Sequence, residues 1–108
     1  MNKTIKIAQE FSRYPAGRFQ KDGPYSGELF RQKFLEPALS GEKTSKIIIE
    51  MDGARGYGSS FLEEAFGGLV RRGFEKEQLK NRLEIHATNS SLKLEILDYI
   101  DKALPVPN

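Results

Sequence analysis

The stretch Ile47-Ile48-Ile49-Glu50-Met51-Asp52-Gly53, continued by Gly56-Tyr57-Gly58-Ser59-Ser60 and Phe61-Leu62-Glu63-Glu64-Ala65-Phe66, decides the fold. Three consecutive β-branched residues predict a strand, and Asp52-Gly53 ends it before a helix could form. A run without alternation predicts burial on both faces of the sheet. The glycines then loosen a loop. Ser60 and Glu63 stand at capping-box spacing, which predicts a helix start. Phe61, Leu62, Ala65, Phe66, Leu69 and Val70 supply the apolar stripe of that helix. Gly67 and Gly68 inside it cost about 1 kcal/mol each relative to alanine. Close packing against another part of the chain is the expected reason for them. A buried strand, a loop and a helix make half of a parallel crossover unit, and loops at the carboxyl ends of such strands are where ligands and partners meet the fold.

Working outward, Thr4 to Phe11 alternates, with Ile5, Ile7 and Phe11 on one side, and predicts a first strand. The segment 12–25 holds Pro15, Gly17, Gly23 and Pro24 and predicts loop. Within it, Arg18-Phe19-Gln20 is expected as a short strand pairing back as a hairpin. Ser26 is placed to cap a helix carrying Leu29, Phe30, Phe34, Leu35, Ala38 and Leu39. Pro37 predicts a kink or a stop near Glu36. After a short helical or irregular passage anchored by Leu79, residues 82–87 alternate. Leu83, Ile85 and Ala87 lie on one face, with Arg82, Glu84 and His86 on the other. Residues 92–104 form an amphipathic helix ended by Pro105. The expected architecture is α/β: about four strands in a mostly parallel sheet with three main helices packed against it. A single domain over 1–104 and a short tail over 105–108 complete the reading.

Composition narrows the chemistry. The chain has 108 residues, no cysteine and one histidine. Thiolate zinc sites, disulfides and multi-imidazole metal centres within one chain are therefore excluded. A net charge of +2 argues for no nucleic-acid surface by itself. The first residues lack a signal-peptide core, and no apolar run approaches the ~18 residues of a membrane span, so a cytoplasmic location and no membrane partner are expected.

Few residues offer reactive chemistry. Gly53, Gly56 and Gly58 before Ser59 and Ser60 make a turn whose free amides can receive an anion, or the serines can be plain helix caps. Neither a P-loop nor a dinucleotide fingerprint is present. His86 offers a serine a general base, but catalysis would also need an orienting acid and an oxyanion site, and a solvated or hydrogen-bonded structural histidine at a strand end is the favoured reading. Glu50 and Asp52, with Glu63 and Glu64, offer oxygen ligands for a hard cation, or else a turn cap and helix-dipole partners. No enzyme activity, cofactor or metal is expected. Arg13, Arg18, Lys21, Arg31 and Lys33, interleaved with Tyr14, Phe19 and Tyr25, leave single-stranded nucleic acid as a less favoured partner.

Three blocks carry a family resemblance: Tyr14-Pro15-x-Gly17-Arg18-Phe19; Gly23-Pro24-x-Ser26-Gly27-Glu28; and the long run from Gly56 to Leu69. They resemble the bacterial STAS-like domain of unknown function, which is similar to the STAS domains of anti-anti-sigma factors. The resemblance implies a regulatory, protein-binding module and a partner of the histidine-kinase-type ATPase class. In STAS domains a kinase phosphorylates a serine at a helix start, within Asp-Ser-Ser-Gly-Leu. Aligned without gaps, Gly58-Ser59-Ser60-Phe61-Leu62 match that switch and Glu50-Met51 the strand before it. The resemblance thus implies Ser59 as phosphoacceptor, with Gly58 in place of the aspartate and Phe61 in place of the glycine. The expected partner- or anion-binding surface comprises Gly56, Tyr57, Gly58, Ser59, Ser60, Phe61, Glu63 and Glu64. A small-ligand, nucleotide or anion sensor using the Ser60 helix start is the alternative.

Overall fold

The computed structural model describes residues 2–42 and 44–106. Strands β1 (Lys3–Lys6), β2 (Ile47–Glu50) and β3 (Leu83–His86) form a parallel sheet in the order β1-β2-β3. Ile5, Ile49 and Ile85 lie side by side in register. Helices α1 (27–39), α2 (59–71), α3 (Lys76–Arg82) and α4 (Ser90–Lys102) complete the element order. One apolar core draws on all three strands and all four helices.

The sheet has three strands among the described residues rather than about four, and the backbone of the first loop explains the difference. Residues 18–20 do not pair with β1. Instead the carbonyls of Gly17 and Arg18 accept the amides of Gly27 and Glu28 at 2.9 and 3.0 Å. They thereby satisfy donors that the first turn of α1 cannot satisfy internally. Ser26 adds its hydroxyl to the Leu29 amide, as its position predicts. The segment after Lys6 also leaves the strand early. Residues Ile7–Phe11 curl into a widened turn with Ser12 N–H donating to the Ile7 carbonyl, and Phe11 packs against Phe30 and Phe34. The helical layer holds one helix more than the three main ones, because the passage anchored by Leu79 is regular helix.

The isoleucine run is not covered on both sides. Ile47 and Ile49 are buried, whereas Ile48 and Glu50 are half-buried and the flanking Thr4, Lys6, Glu84 and His86 are exposed. The helices therefore cover one face, and the other is a polar surface centred on Ile48. Arg82, expected on the wet face of a strand, closes α3 instead and is buried. Its guanidinium donates to the carbonyls of Leu39, Glu42 and Ser45, which fastens the end of α1 to the approach to β2.

Pro37 does not stop α1. The turn before it, Arg31–Leu35, is widened to i→i+5 bonding, with Glu36 N–H donating to the Arg31 carbonyl, and the helix continues to Leu39. A widened turn frees local carbonyls from the regular ladder, so the missing proline donor is accommodated. Helix α2 contains a second such turn at Glu63–Gly67. Of the expected tail, residues 105 and 106 have no regular structure, and 107 and 108 lie outside the described residues.

Helices α1 and α2 meet at Gly27. A methyl group there would lie 2.3 Å from the Phe61 carbonyl oxygen and 3.1 Å from the Ala65 nitrogen, both backbone atoms. Gly67 and Gly68 are packing devices as the sequence predicts. A Cβ at Gly67 would meet the Glu63 carboxylate and the Tyr99 carbonyl, and one at Gly68 the Arg31 guanidinium. Gly27→Ala is expected to lower stability by about 1–3 kcal/mol, as overpacking against an immobile backbone does. Thermal melting of the two proteins by circular dichroism checks this, and equal midpoints would contradict the packing account.

Candidate functional site

The carboxyl ends of the strands converge on a loop, 51–58, that is pinned at three points. Asp52 accepts the Thr88 amide at 3.1 Å and the Thr88 hydroxyl at 2.7 Å, which ties the loop after β2 to the loop after β3. These two bonds hold the Asp52 carboxyl below its ordinary range. The Tyr57 hydroxyl donates to the Met51 carbonyl at 2.6 Å. Burial of that hydroxyl, with Asp52 and Glu50 nearby, raises its pKa far above the usual phenol value. Arg55 N–H donates to the Arg13 carbonyl at 2.8 Å, which joins the loop to the segment after β1. Gly53 takes φ +100, a conformation that favours glycine, and a Cβ there would meet the Ala8 methyl at 3.0 Å.

Helix α2 begins here, without a capping box. Its N-cap is Gly58, which offers no side-chain acceptor, and Ser59 and Ser60 occupy the first two helical positions with exposed side chains. Glu63 cannot reach back to the helix start because both its oxygens are held by arginines. The first-turn amides of α2 are thus left without a side-chain cap.

The expected surface residues separate into two groups. Gly56, Gly58, Ser59 and Ser60 are exposed and Tyr57 is half-buried. Phe61 is fully buried against Phe30 and Tyr57. Glu63 and Glu64 face inward, into a network with Arg18, Arg31 and Arg71. Arg71 forms a two-pronged pair with Glu63 at 2.7 and 2.9 Å and reaches Glu64 at 3.1 Å. Arg18 pairs with Glu63 and approaches Glu64 at 3.4 Å. Arg31 donates to the Glu64 carboxylate and carbonyl and to the Glu36 carboxylate. Arg31 and Glu64 are only 4% and 7% exposed, so this pair lies inside the protein. The Arg71 hydrogen bonds lower the Glu63 pKa against the opposing effect of burial, and the Arg18 bond adds to them.

The acidic residues weighed as cation ligands are therefore not gathered. Asp52 belongs to Thr88, Glu63 and Glu64 belong to arginines, and Glu50 lies 3.9 Å from His86. Among the described residues no group of three or more metal-ligating side chains is assembled. His86 stands between the carboxylates of Glu50 and Glu84 on the exposed sheet face. Beside the loop, Tyr14 is 61% exposed with the Arg55 guanidinium over its ring. Spacing gave no sign of that pairing, because the two residues lie on different loops. No helix is long and apolar enough to cross a membrane among the described residues.

A short parallel sheet, a pinned loop after its middle strand and a helix opening on two exposed serines define an α/β module of STAS-like type. The family model described as STAS-like domain of unknown function (DUF4325) matches residues 26–93, and the chain belongs to that family. Comparison with curated proteins and comparison with solved structures each give no match.

Two predictions follow the geometry of the network. Glu64→Ala leaves Arg31 buried without its main counter-charge and is expected to cost about 3–5 kcal/mol, whereas Glu64→Leu combined with Arg31→Met is expected to recover most of that loss. Urea unfolding of the three proteins tests it, and a double variant no better than the single one would contradict it. Glu63 has a lowered folded-state pKa, so its stabilisation is present above the ordinary glutamate value of about 4.3 and disappears as pH falls through the folded value. Melting temperature should therefore fall less steeply below that pH in Glu63→Gln than in the parent chain.

Proposed function

We propose that this chain is a non-enzymatic regulatory module. It binds a protein partner through the exposed edge formed by Gly56, Gly58, Ser59 and Ser60, and phosphorylation of Ser59 controls that binding. The observation that carries the reading is the position of Ser59. Its hydroxyl is exposed at the first position of α2, behind an N-cap that supplies no acceptor. A phosphate there adds about −1.5 to −2 charges where the helix dipole and the uncapped amides favour an anion, so modification need not disturb the fold. The pinned loop delivers the new charge to a fixed surface. The kinase in this proposal is a histidine-kinase-type ATPase, the partner class that the family resemblance implies.

Gly58 bears on how such a kinase reads the site. A kinase that relied on an aspartate before the serine meets a bare glycine, so recognition would rest on the backbone and on neighbouring loops. Exposed Tyr14 and Arg55 are the side chains best placed for that, since the Arg13–Arg55 backbone bond fixes their two loops together.

Ser59→Asp is expected to reduce capture of a histidine-kinase-type ATPase from the native cell at least several-fold, while Ser59→Ala captures it as the parent does. Quantitative mass spectrometry of affinity-purified material reads the ratio, with circular dichroism confirming that all three proteins fold alike. Equal capture by all three overturns the switch. Ser60→Ala should leave stability within about 0.5 kcal/mol of the parent, as at an ordinary surface position, whereas Ser26→Ala should cost about 1 kcal/mol as a lost helix cap. A large loss at Ser60 would show a cap where none is described.

A further inference from the structure

The sheet ends on two edges, and they are not alike. On β1, Lys3 N–H donates to the Lys46 carbonyl, so the backbone groups of Lys3 and Ile5 face β2 and those of Thr4 and Lys6 point outward. The outward amide of Lys6 is already occupied, because it donates to the Glu10 carboxylate at 2.8 Å. The β1 edge is thereby blocked at its carboxyl end. On β3, the His86 carbonyl accepts Met51 N–H, so Glu84 and His86 face β2 and the backbone groups of Leu83, Ile85 and Ala87 point away from the sheet. The Leu83 amide closes α3 by donating to the Leu79 carbonyl. The outward groups of Ile85 have no neighbouring strand in the sheet.

A groove of about 440 Å³ runs along this second edge, between Leu83 and Ile85 on the strand and Lys93 and Leu97 on α4. Leu94 is 67% exposed and lies three positions before Leu97, on the same flank of the helix. The edge thus offers free backbone partners, an adjoining trough and an apolar rim. An unblocked edge of this kind is a template for another strand.

We propose that the β3 edge joins two copies of this chain, with the two β3 strands antiparallel and Ile85 opposite Ile85 of the second copy, giving a continuous six-stranded sheet. Charge complementarity selects both the occupant and the register. A two-fold axis through the sheet must keep buried faces together, so only registers pairing odd with odd positions and even with even are allowed. Centring on Glu84 would set two like carboxylates directly opposite each other, which is destabilising. Centring on Ile85 places Glu84 opposite His86 of the second copy, twice by symmetry, and a histidine ring N–H can donate to a carboxylate whether or not the ring is charged. In that register Ile85, whose backbone points outward, exchanges both of its hydrogen bonds with its counterpart. The Ala87 amide faces the Leu83 carbonyl of the second copy. The two Leu94-Leu97 flanks approach on the helical side, while the exposed edge around Ser59 belongs to different loops and takes no part.

Sedimentation velocity over a concentration series tests the proposal with the full chain. The parent is expected to self-associate, and Glu84→Lys and His86→Glu are each expected to weaken association by about tenfold, the first by removing both carboxylate acceptors and the second by setting like carboxylates directly opposite each other. The double variant Glu84→Lys with His86→Glu reverses both partners and should restore it. Thr4→Lys, on the blocked edge, should leave it unchanged. Glu84 and Thr4 are exposed, so their single variants should melt as the parent does; His86→Glu also faces Glu50 of its own chain, and its melting curve sets the temperature at which association of the folded protein is compared. A parent chain that stays monomeric at millimolar concentration overturns the proposal. So does association that is indifferent to the single charge reversals, or a double variant that fails to recover.

Discussion

The buried pair between Arg31 and Glu64 is the interaction on which the helical layer depends. Two ions removed from water are stable only when their remaining hydrogen-bonding groups are also satisfied. Here that requirement recruits Glu36 to the Arg31 Nε, and Arg18 and Arg71 to the free carboxylate oxygen of Glu64. The partners come from α1, from α2 and from the loop before α1, so the angle between the helices is fixed by charge geometry as well as by packing. The close approach at Gly27 belongs to the same arrangement, because it brings the α1 backbone near enough to α2 for Arg31 to reach the Glu64 carbonyl. Local order around the Ser59 edge is inherited from this anchoring, since Ser59 opens the helix that Glu63 and Glu64 hold in place.

Much of the fold was legible from the residues. The isoleucine run, the apolar stripes of three helices and the Ser26 cap follow local rules of periodicity and hydrogen bonding, and each is present. What was not legible depends on distant partners. The alternation through Ile5 and Ile7 looks like one strand, yet Glu10 takes the Lys6 amide and turns the chain. Residues 18–20 have strand character, but the carbonyls of Gly17 and Arg18 are claimed by the start of α1. Ile48 shares the composition of a doubly buried strand while lacking a second helical layer to cover it.

The site divides along the same line. The exposure of Ser59 and Ser60 could be read from their place before an apolar run. The fate of Glu63 could not, because capping-box spacing and ion pairing with an arginine from another loop make equal use of a glutamate. One sign was available for Glu64: it is a charge flanked by Phe61, Leu62, Ala65 and Phe66. Arg31 is likewise set beside Phe30 and near Phe34. A charged residue embedded in an apolar stripe on each of two neighbouring helices is the pattern that a buried pair leaves in a sequence. Gly27, Glu63 and Glu64 all fall within residues 26–93, the part of the chain that the family model matches.

The widened turns have an angular consequence for these ion pairs. Successive residues of a regular α-helix are about 100° apart around the axis, so positions eight apart, such as Glu63 and Arg71, would be offset by about 80°. The turn at Glu63–Gly67 absorbs one extra residue, and the same pair behaves as though seven apart, within about 20° of alignment. Arg31 and Glu36, five apart, likewise span the widened turn of α1. Each turn acts as a phase corrector that brings its charges onto a common line. One residue more between Glu63 and Arg71 would therefore rotate Arg71 off the carboxylate it holds, whereas loss of one is taken up by the widened turn closing to a regular one, with every amino-acid type in the network unchanged in either case.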